Sequence, residues 1–231
     1  MDNVLALIPA RLGSKGIPHK NFRPLVDGLS PVDLAMAVCD YATVKHLVVS
    51  TDHTVYPMRE YADGRTKRWL VRPPELAQDD TPMIAVVQHA LAEIPGPPEQ
   101  IIVLLQPTQP LRKPEHITRA VSMLQSLEFD SVVSIVAIPR THAPDFVLMY
   151  DHVCLIASSW LDKPLDQPTR RQSVPRPYIR DGTVYAFYRR TVERFGNLYG
   201  EHVGALEIDS NDTCPLDTEL DWAEAERRLR A

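Results

Sequence analysis

The stretch Ile101-Ile102-Val103-Leu104-Leu105-Gln106-Pro107-Thr108-Gln109-Pro110-Leu111-Arg112 runs five apolar residues directly into a proline-paired polar turn. A strand with one wet face alternates apolar and polar residues, whereas an unbroken apolar run needs cover on both sides. Such strands belong to mostly parallel sheets with helices on both faces. The same reading extends outward. Val4–Ile8, His46–Ser50, Trp69–Val71 and Ser131–Ile138 read as strands, and Pro31–Tyr41, Val55–Ala62, Pro82–Glu93 and Pro114–Leu127 as helices between them. This βαβ succession predicts an α/β fold. In such sheets ligands gather beyond the carboxyl ends of the strands, so the segments that follow strands are where chemistry is sought.

The segment after the first strand, Ala10-Arg11-Leu12-Gly13-Ser14-Lys15-Gly16-Ile17-Pro18-His19-Lys20-Asn21, is glycine-containing and cationic. Gly13 and Gly16 offer the freedom to adopt φ > 0 and bring backbone N–H groups near an anion, and Arg11, Lys15 and Lys20 bring charge. A polyphosphate is the ligand this composition suits, although a basic surface turn has the same ingredients. The spacing fits neither the G-x-x-x-x-G-K-[ST] loop nor the G-x-G-x-x-G dinucleotide pattern.

At 231 residues with 44% hydrophobic content, the chain is long enough for one sizeable domain, 1–231, with its own core. A net charge of −5 argues against a nucleic-acid-coating surface and leaves room for a local cationic cleft. Cys39, Cys154 and Cys214 are odd in number and far apart, so no disulfide framework or thiolate zinc site is expected, and a reduced cytoplasm is the expected compartment. Neither a signal-peptide core nor an apolar run near the ~18 residues of a membrane span is present, so no membrane partner is expected. From Pro139 onward, prolines at 144, 164, 168, 175 and 177 interrupt any periodicity, and the sheet is expected to resume near Thr183–Tyr188. The intervening stretch, 139–181, reads as an inserted arm or as an excursion packed on its own chain.

Five segments, in order, resemble the CMP-acylneuraminate synthetases (acylneuraminate cytidylyltransferases). They are the Ala10–Asn21 loop, the Arg72-Pro73-Pro74-Glu75-Leu76-Ala77 segment, the Gln106–Arg112 turn, the Arg171–Tyr185 stretch and Pro215-Leu216-Asp217-Thr218-Glu219-Leu220-Asp221-Trp222. The resemblance implies a Rossmann-like nucleotidyltransferase sheet and an enzyme that condenses CTP with an acidic 2-keto-3-deoxy sugar, releasing pyrophosphate with Mg²⁺ as cofactor. It also implies a homodimer, with 139–181 as the dimerisation arm. Carried over residue by residue, it makes Arg11, Lys20 and Asp217 catalytic. Ala10, Arg11, Gly13, Ser14, Lys15, Asn21 and Arg72 become nucleotide-binding, and Gln106, Thr108, Arg171, Gln172, Asp181 and Tyr185 substrate-binding.

Three positions depart from the family's pattern. Gln109 replaces the usual serine, Asp181 the usual asparagine, and Pro215 the first of two metal-binding aspartates. Asp217 is therefore the expected metal ligand with Asp209 or Asp212 in compensation, unless the acids near Thr218 serve only to cap the helix that follows. Asp79 and Asp80 are expected to complement the dipole of the next helix, and Asp181 to mark an acceptor with a different substituent, such as an amine or hydroxyl. Two rival readings remain: a nucleotidyltransferase with another acceptor, and a non-catalytic nucleotide-binding module.

Overall fold

The structure, a computed structural model, describes residues 3–53, 59–60, 66–151, 156–161, 170 and 172–231. The chain runs β1 (Val4–Pro9), α1 (Pro31–Tyr41), β2 (His46–Thr51), β3 (Arg59–Glu60), β4 (Thr66–Val71), α2 (Met83–Glu93), β5 (Ile101–Leu104), α3 (Pro114–Ser126) and β6 (Ser131–Ala137). It continues through β7 (Leu148–Asp151), β8 (Ile156–Ser159), β9 (Tyr178–Tyr188), α4 (Arg189–Phe195), β10 (Val203–Ile208) and α5 (Glu219–Leu229). Eight strands form one sheet in the order β10-β6-β9-β5-β1-β2-β4-β3, and β7 pairs with β8 in a separate ribbon.

The apolar strands divide their side chains between two cores, as their lack of alternation requires. From β1, Val4, Ala6 and Ile8 pack with Val32 and Ala35 of α1 and Ile117 and Leu124 of α3. Leu5 and Leu7 point the other way, to Val87 and Leu91 of α2 and Val192 of α4. A third cluster joins Ile17 and Leu25 to Leu216 and Trp222, fastening the segment after β1 to the start of α5.

Helix ends follow local chemistry. Ser30 caps α1 with Asp33 in a reciprocal capping box and Pro31 in the first turn, so the helix begins where the sequence predicts. Thr218 and Asp221 form the same device at α5. Among the described residues no helix is long and apolar enough to cross a membrane.

Several elements differ from the sequence expectation. Within the helix expected over Val55–Ala62, Arg59–Glu60 is a short strand antiparallel to β4, and the rest of that span lies outside the described residues. The sheet resumes at Tyr178, inside the span read as the arm, because β9 is eleven residues long and its first part pairs with Ile135–Ala137 of β6. β9 runs antiparallel to both β5 and β6. Its amino end therefore reaches the edge where β1, β2, β4 and β5 end. Besides β3, four elements, β7, β8, α4 and β10, are not among those the sequence predicts.

Leu7, fully buried in the second cluster, tests the two-sided core. Replacing it with alanine is expected to destabilise the protein by about 3 kcal/mol in urea unfolding, the sum of lost transfer energy and an unfilled cavity.

Candidate active site

The loop after β1 is held by contacts to two distant parts of the chain and by one within itself. Ala10 continues the sheet by donating its N–H to the Ser50 carbonyl, and the Leu12 N–H donates to Asp52 Oδ1 at 2.7 Å. Asn21, buried, returns its Nδ2 to the Arg11 carbonyl at 2.8 Å and closes the loop on itself. Lys20 Nζ donates to the Leu216 carbonyl at 2.7 Å and lies 3.6 Å from Asp217 Oδ1. Ile17, fully buried, supplies the apolar half of this attachment.

Gly16 is required for closeness rather than for an unusual backbone. A Cβ there would sit 2.8 Å from the Asp217 carbonyl oxygen, whereas Gly13 faces open space. Neither glycine has a positive φ; His19, at φ 53°, is the left-handed residue of the loop. The expectation that both glycines supply φ > 0 is corrected accordingly. Ser14 and Gly13 lie on the loop's outer part, and neither lines the cleft described next.

Two clefts lie side by side at this edge of the sheet. The first, about 310 Å³, is bounded by Arg11, Lys20, Asn21, Arg72 and Asp79. The second, about 400 Å³, is bounded by Arg180, Asp181, Gly182, Tyr185 and Pro215. Gln106, Thr108 and Asp217 line both and form the seam between them. Gln106 faces Gly182 so closely that a Cβ at Gly182, where φ is 78°, would meet Gln106 Oε1 at 2.6 Å. The Gln106 carbonyl accepts from Arg112, but its side-chain amide makes no hydrogen bond among the described residues.

The charged groups divide into struts and free ends. Arg72 is buried, and its guanidinium donates to the Ser50 carbonyl at 2.9 Å, to Ser50 Oγ at 3.3 Å and to the Leu76 carbonyl at 3.2 Å. Burial lowers its pKa. It is first a brace between β2 and the loop before α2, and presents only one side to the cleft. Arg112, also buried, ties the Thr183 and Gln106 carbonyls together, and burial pulls it down to about 10. Asp217 is the opposite case. Its side chain is 75% exposed, and the cap of α5 is made by Thr218 and Asp221 instead. The capping alternative for the motif is thus met by Asp221, leaving the Asp217 carboxylate available at the seam.

Asp79 and Asp80 do not cap α2, whose N-cap is Pro82 without a side-chain bond. Asp79 instead holds both loop cations: Arg11 Nη1 pairs with Oδ1, and Lys15 Nζ with Oδ2 at 2.6 Å. Hydrogen bonds from Lys15 and Arg11 keep the Asp79 carboxyl below the usual carboxylate range.

The remaining expectations divide. Tyr185 and Asp181 line the second cleft; Asp181 accepts from the Thr183 N–H at 3.2 Å and from the Thr183 hydroxyl. Burial raises the Tyr185 phenol. Gln172 is exposed and lines neither cleft, its carbonyl accepting from Arg140. Asp209 is spent on its own turn, accepting from the Asn211 N–H at 2.8 Å, and lines neither cleft. Arg171 lies outside the described residues.

Two residues beyond the expected set shape the second cleft. Gln109 is buried: its Nε2 donates to the Asp181 carbonyl, and its Oε1 accepts from Thr213 Oγ1 at 3.1 Å and from the Cys214 N–H at 3.3 Å. One side chain thereby ties the turn after β5 to β9 and to the segment before α5. Arg180 lines the cleft beside Tyr199, to whose hydroxyl it donates. The departure from serine at position 109 was the available signal for the first. Nothing in local pattern separated Arg180 from its basic neighbours.

A sheet covered on both faces, with a cationic loop and two joined clefts at its carboxyl edge, defines a nucleotide-handling α/β protein. The chain belongs to the cytidylyltransferase family, whose family model matches residues 5–145. It is 27% identical over 221 residues to an N-acylneuraminate cytidylyltransferase of Escherichia coli, covering 95% of this chain and 50% of that protein. It is 28% identical over 233 residues to a CMP-N,N'-diacetyllegionaminic acid synthase of Legionella pneumophila, covering 98% of this chain and 96% of that protein. The chain spans about half the length of the Escherichia coli and Streptococcus agalactiae relatives it matches. Among solved structures, a CMP:2-keto-3-deoxy-manno-octonic acid synthetase complexed with CTP shares the fold, with a TM-score of 0.63 at 17% identity and 98% coverage of both chains.

The Gly16–Asp217 approach sets a test. Gly16→Ala is expected to fold but to push the loop away from the seam, weakening CTP binding about tenfold in calorimetry while shifting the melting temperature only a few degrees. Unchanged CTP affinity would show that this closeness is immaterial to the site.

Proposed function

We propose that the protein is a cytidylyltransferase that condenses CTP with an acidic 2-keto-3-deoxy sugar of the sialic-acid kind, giving a CMP-sugar and pyrophosphate. The observation that carries this reading is the seam: two clefts of ligand size that share Gln106, Thr108 and Asp217. A transfer reaction needs two bound partners whose reacting atoms meet, and adjoining clefts with a common wall supply that arrangement. Family membership and the names of the relatives support CTP and an acidic sugar as the partners.

In this reading the nucleotide occupies the first cleft, with its phosphates toward Arg11, Lys15 and Lys20. The acceptor occupies the second, with its anomeric hydroxyl directed to the seam. That oxygen attacks the α-phosphorus, the bond from Pα to the bridging oxygen breaks, and pyrophosphate carries away the electron pair while the hydroxyl proton passes to solvent. Lys20, 19% exposed and fixed by the Leu216 carbonyl, keeps its ammonium in place as charge grows on the phosphates. Gln106, whose side-chain amide makes no hydrogen bond among the described residues, offers hydrogen bonds to the sugar from the shared wall.

Mg²⁺ is the proposed cofactor. The exposed Asp217 carboxylate, left out of the helix cap, fits a cation that takes one or two carboxylates and completes its shell with phosphates and water. Among the described residues there is no group of three or more His, Cys, Asp or Glu side chains that would form a closed metal cage. When bound, Mg²⁺ supplies neutralisation of phosphate charge.

The proposal includes a homodimer in a reduced cytoplasm. The ribbon with the residue that follows it, and the amino end of β9, expose Leu148, Met149, Trp160, Tyr178 and Ile179, apolar side chains of the kind that partner chains cover. Cys39 and Cys214 are buried free thiols, suited to a reducing compartment.

Pyrophosphate release from CTP, with a panel of nine- and eight-carbon 2-keto-3-deoxy sugar acids and the other nucleoside triphosphates as controls, tests the reaction. Asp217→Ala is expected to lower Mg²⁺-dependent turnover at least a hundredfold with metal-free CTP binding retained; wild-type turnover in that variant would remove Asp217 from the mechanism. For assembly, Trp160→Glu is expected to shift the protein from dimer to monomer in light scattering, and a wild-type mass of one chain would contradict the dimer.

A further inference from the structure

The loop cations in this site are already paired. Arg11 and Lys15 reach the same carboxylate, Asp79, one to each oxygen. The geometry is that of a bidentate anion held between two cations, and it lies against the first cleft, which Arg11 and Asp79 both line. Asp79 belongs to another part of the chain, the segment between the Arg72 brace and α2, so local sequence does not enforce the pairing. It also does no capping that would otherwise explain it, since Pro82 is the N-cap of α2. Lys15 is 84% exposed and, among the described residues, forms an ion pair with Asp79 alone.

We propose that Asp79 is a positioning residue that acts as a built-in counter-anion. Its carboxylate stands where a phosphate of the nucleotide is to bind, and it is displaced when the triphosphate arrives. The inference rests on Arg11 and Lys15 being the phosphate-reading cations of the proposed function. Two consequences oppose each other. Asp79 holds two long, otherwise mobile side chains in the orientation that an anion needs, which lowers the ordering cost on binding. It also competes for the same donors, so the phosphate-competent form is only a fraction of the population and apparent affinity falls by that fraction. Exposed ion pairs are individually weak, so a phosphate chain of several charges displaces the carboxylate readily.

The sign of the effect separates this role from a structural one. Losing a merely structural contact weakens ligand binding, whereas removing a competing anion strengthens it. The test is calorimetric titration of the full chain with CTP, and separately with inorganic tripolyphosphate, in EDTA so that no divalent metal contributes. Asp79→Asn keeps the shape and removes the charge. It is expected to bind both ligands about 3- to 10-fold more tightly than wild type, the range that loss of one or two weak ion pairs allows. Asp80→Asn makes the same change in net charge one residue away, at an exposed position that lines neither cleft, and is expected to change affinity less than twofold.

Equal or weaker binding by Asp79→Asn, or an equal gain from both variants, overturns the proposal. Arg11→Ala and Lys15→Ala separate this failure from that of the phosphate reading. If they weaken tripolyphosphate binding while Asp79→Asn has no effect, the cations read phosphate and only the counter-anion role is lost. If they also leave tripolyphosphate binding unchanged, both readings are lost.

Discussion

The site depends on the attachment of the loop after β1 to the segment that opens α5. Ile17 is buried against Leu216 and Trp222, Gly16 lies against the main chain at Asp217, and the Lys20 ammonium is seated on the Leu216 carbonyl. These contacts join residues nearly two hundred positions apart. The apolar part supplies most of the driving force, because burying Ile17 removes a large side chain from water. The polar part sets direction: an ammonium with three donors, one spent on a carbonyl, retains donors for an incoming anion. Loosening this attachment would change the separation between the cationic loop and the Asp217 carboxylate even with every side chain intact.

Around that joint, buried polar side chains act as spacers. Arg72, Gln109 and Arg112 all end on main-chain carbonyls; Arg72 braces β2, and Gln109 and Arg112 tie the turn after β5 to β9. Guanidinium and amide groups suit this because they donate in fixed planes, and a buried donor left unmet is costly. The clefts owe their shape to these groups as much as to the strands. Arg72 and Arg112 look like ligand readers by residue type, but most of their hydrogen-bonding capacity is committed to the protein itself.

Much of the framework is legible in the sequence for local reasons. Ser30-Pro31 with Asp33 marks the start of α1 because the capping chemistry lies within four residues, and Ile101–Leu105 declares two-sided burial by composition alone. The direction of β9 is not legible. A strand's sense relative to its neighbours is set by the path of the connecting chain, and apolar content carries no sign of it. β10 alternates exposed and buried residues as a half-exposed strand does, but it is only six residues long, too short for its period to stand out. In the site, Asp217 and Lys20 follow from motif position. Asp79 does not, because an acid just before a helix suits both the helix dipole and a distant arginine, and only the fold decides between them. Asp209 lies outside both clefts, with Oδ1 of its carboxylate accepting from the N–H two residues on.

The placement of β9 has a consequence for how the chain comes to be folded. β6 and β10 pair with each other, but they reach the rest of the sheet only through β9. Until residues 178–188 have left the ribosome, β5 and β6 each present an open edge in the nascent chain, with apolar side chains on both faces. Closing the sheet therefore waits for a late, sequence-distant strand, which slows folding and lengthens the interval in which those edges can pair with another copy. The stretch matched by the family model ends before β9 begins, and so it does not contain the strand that makes the sheet continuous.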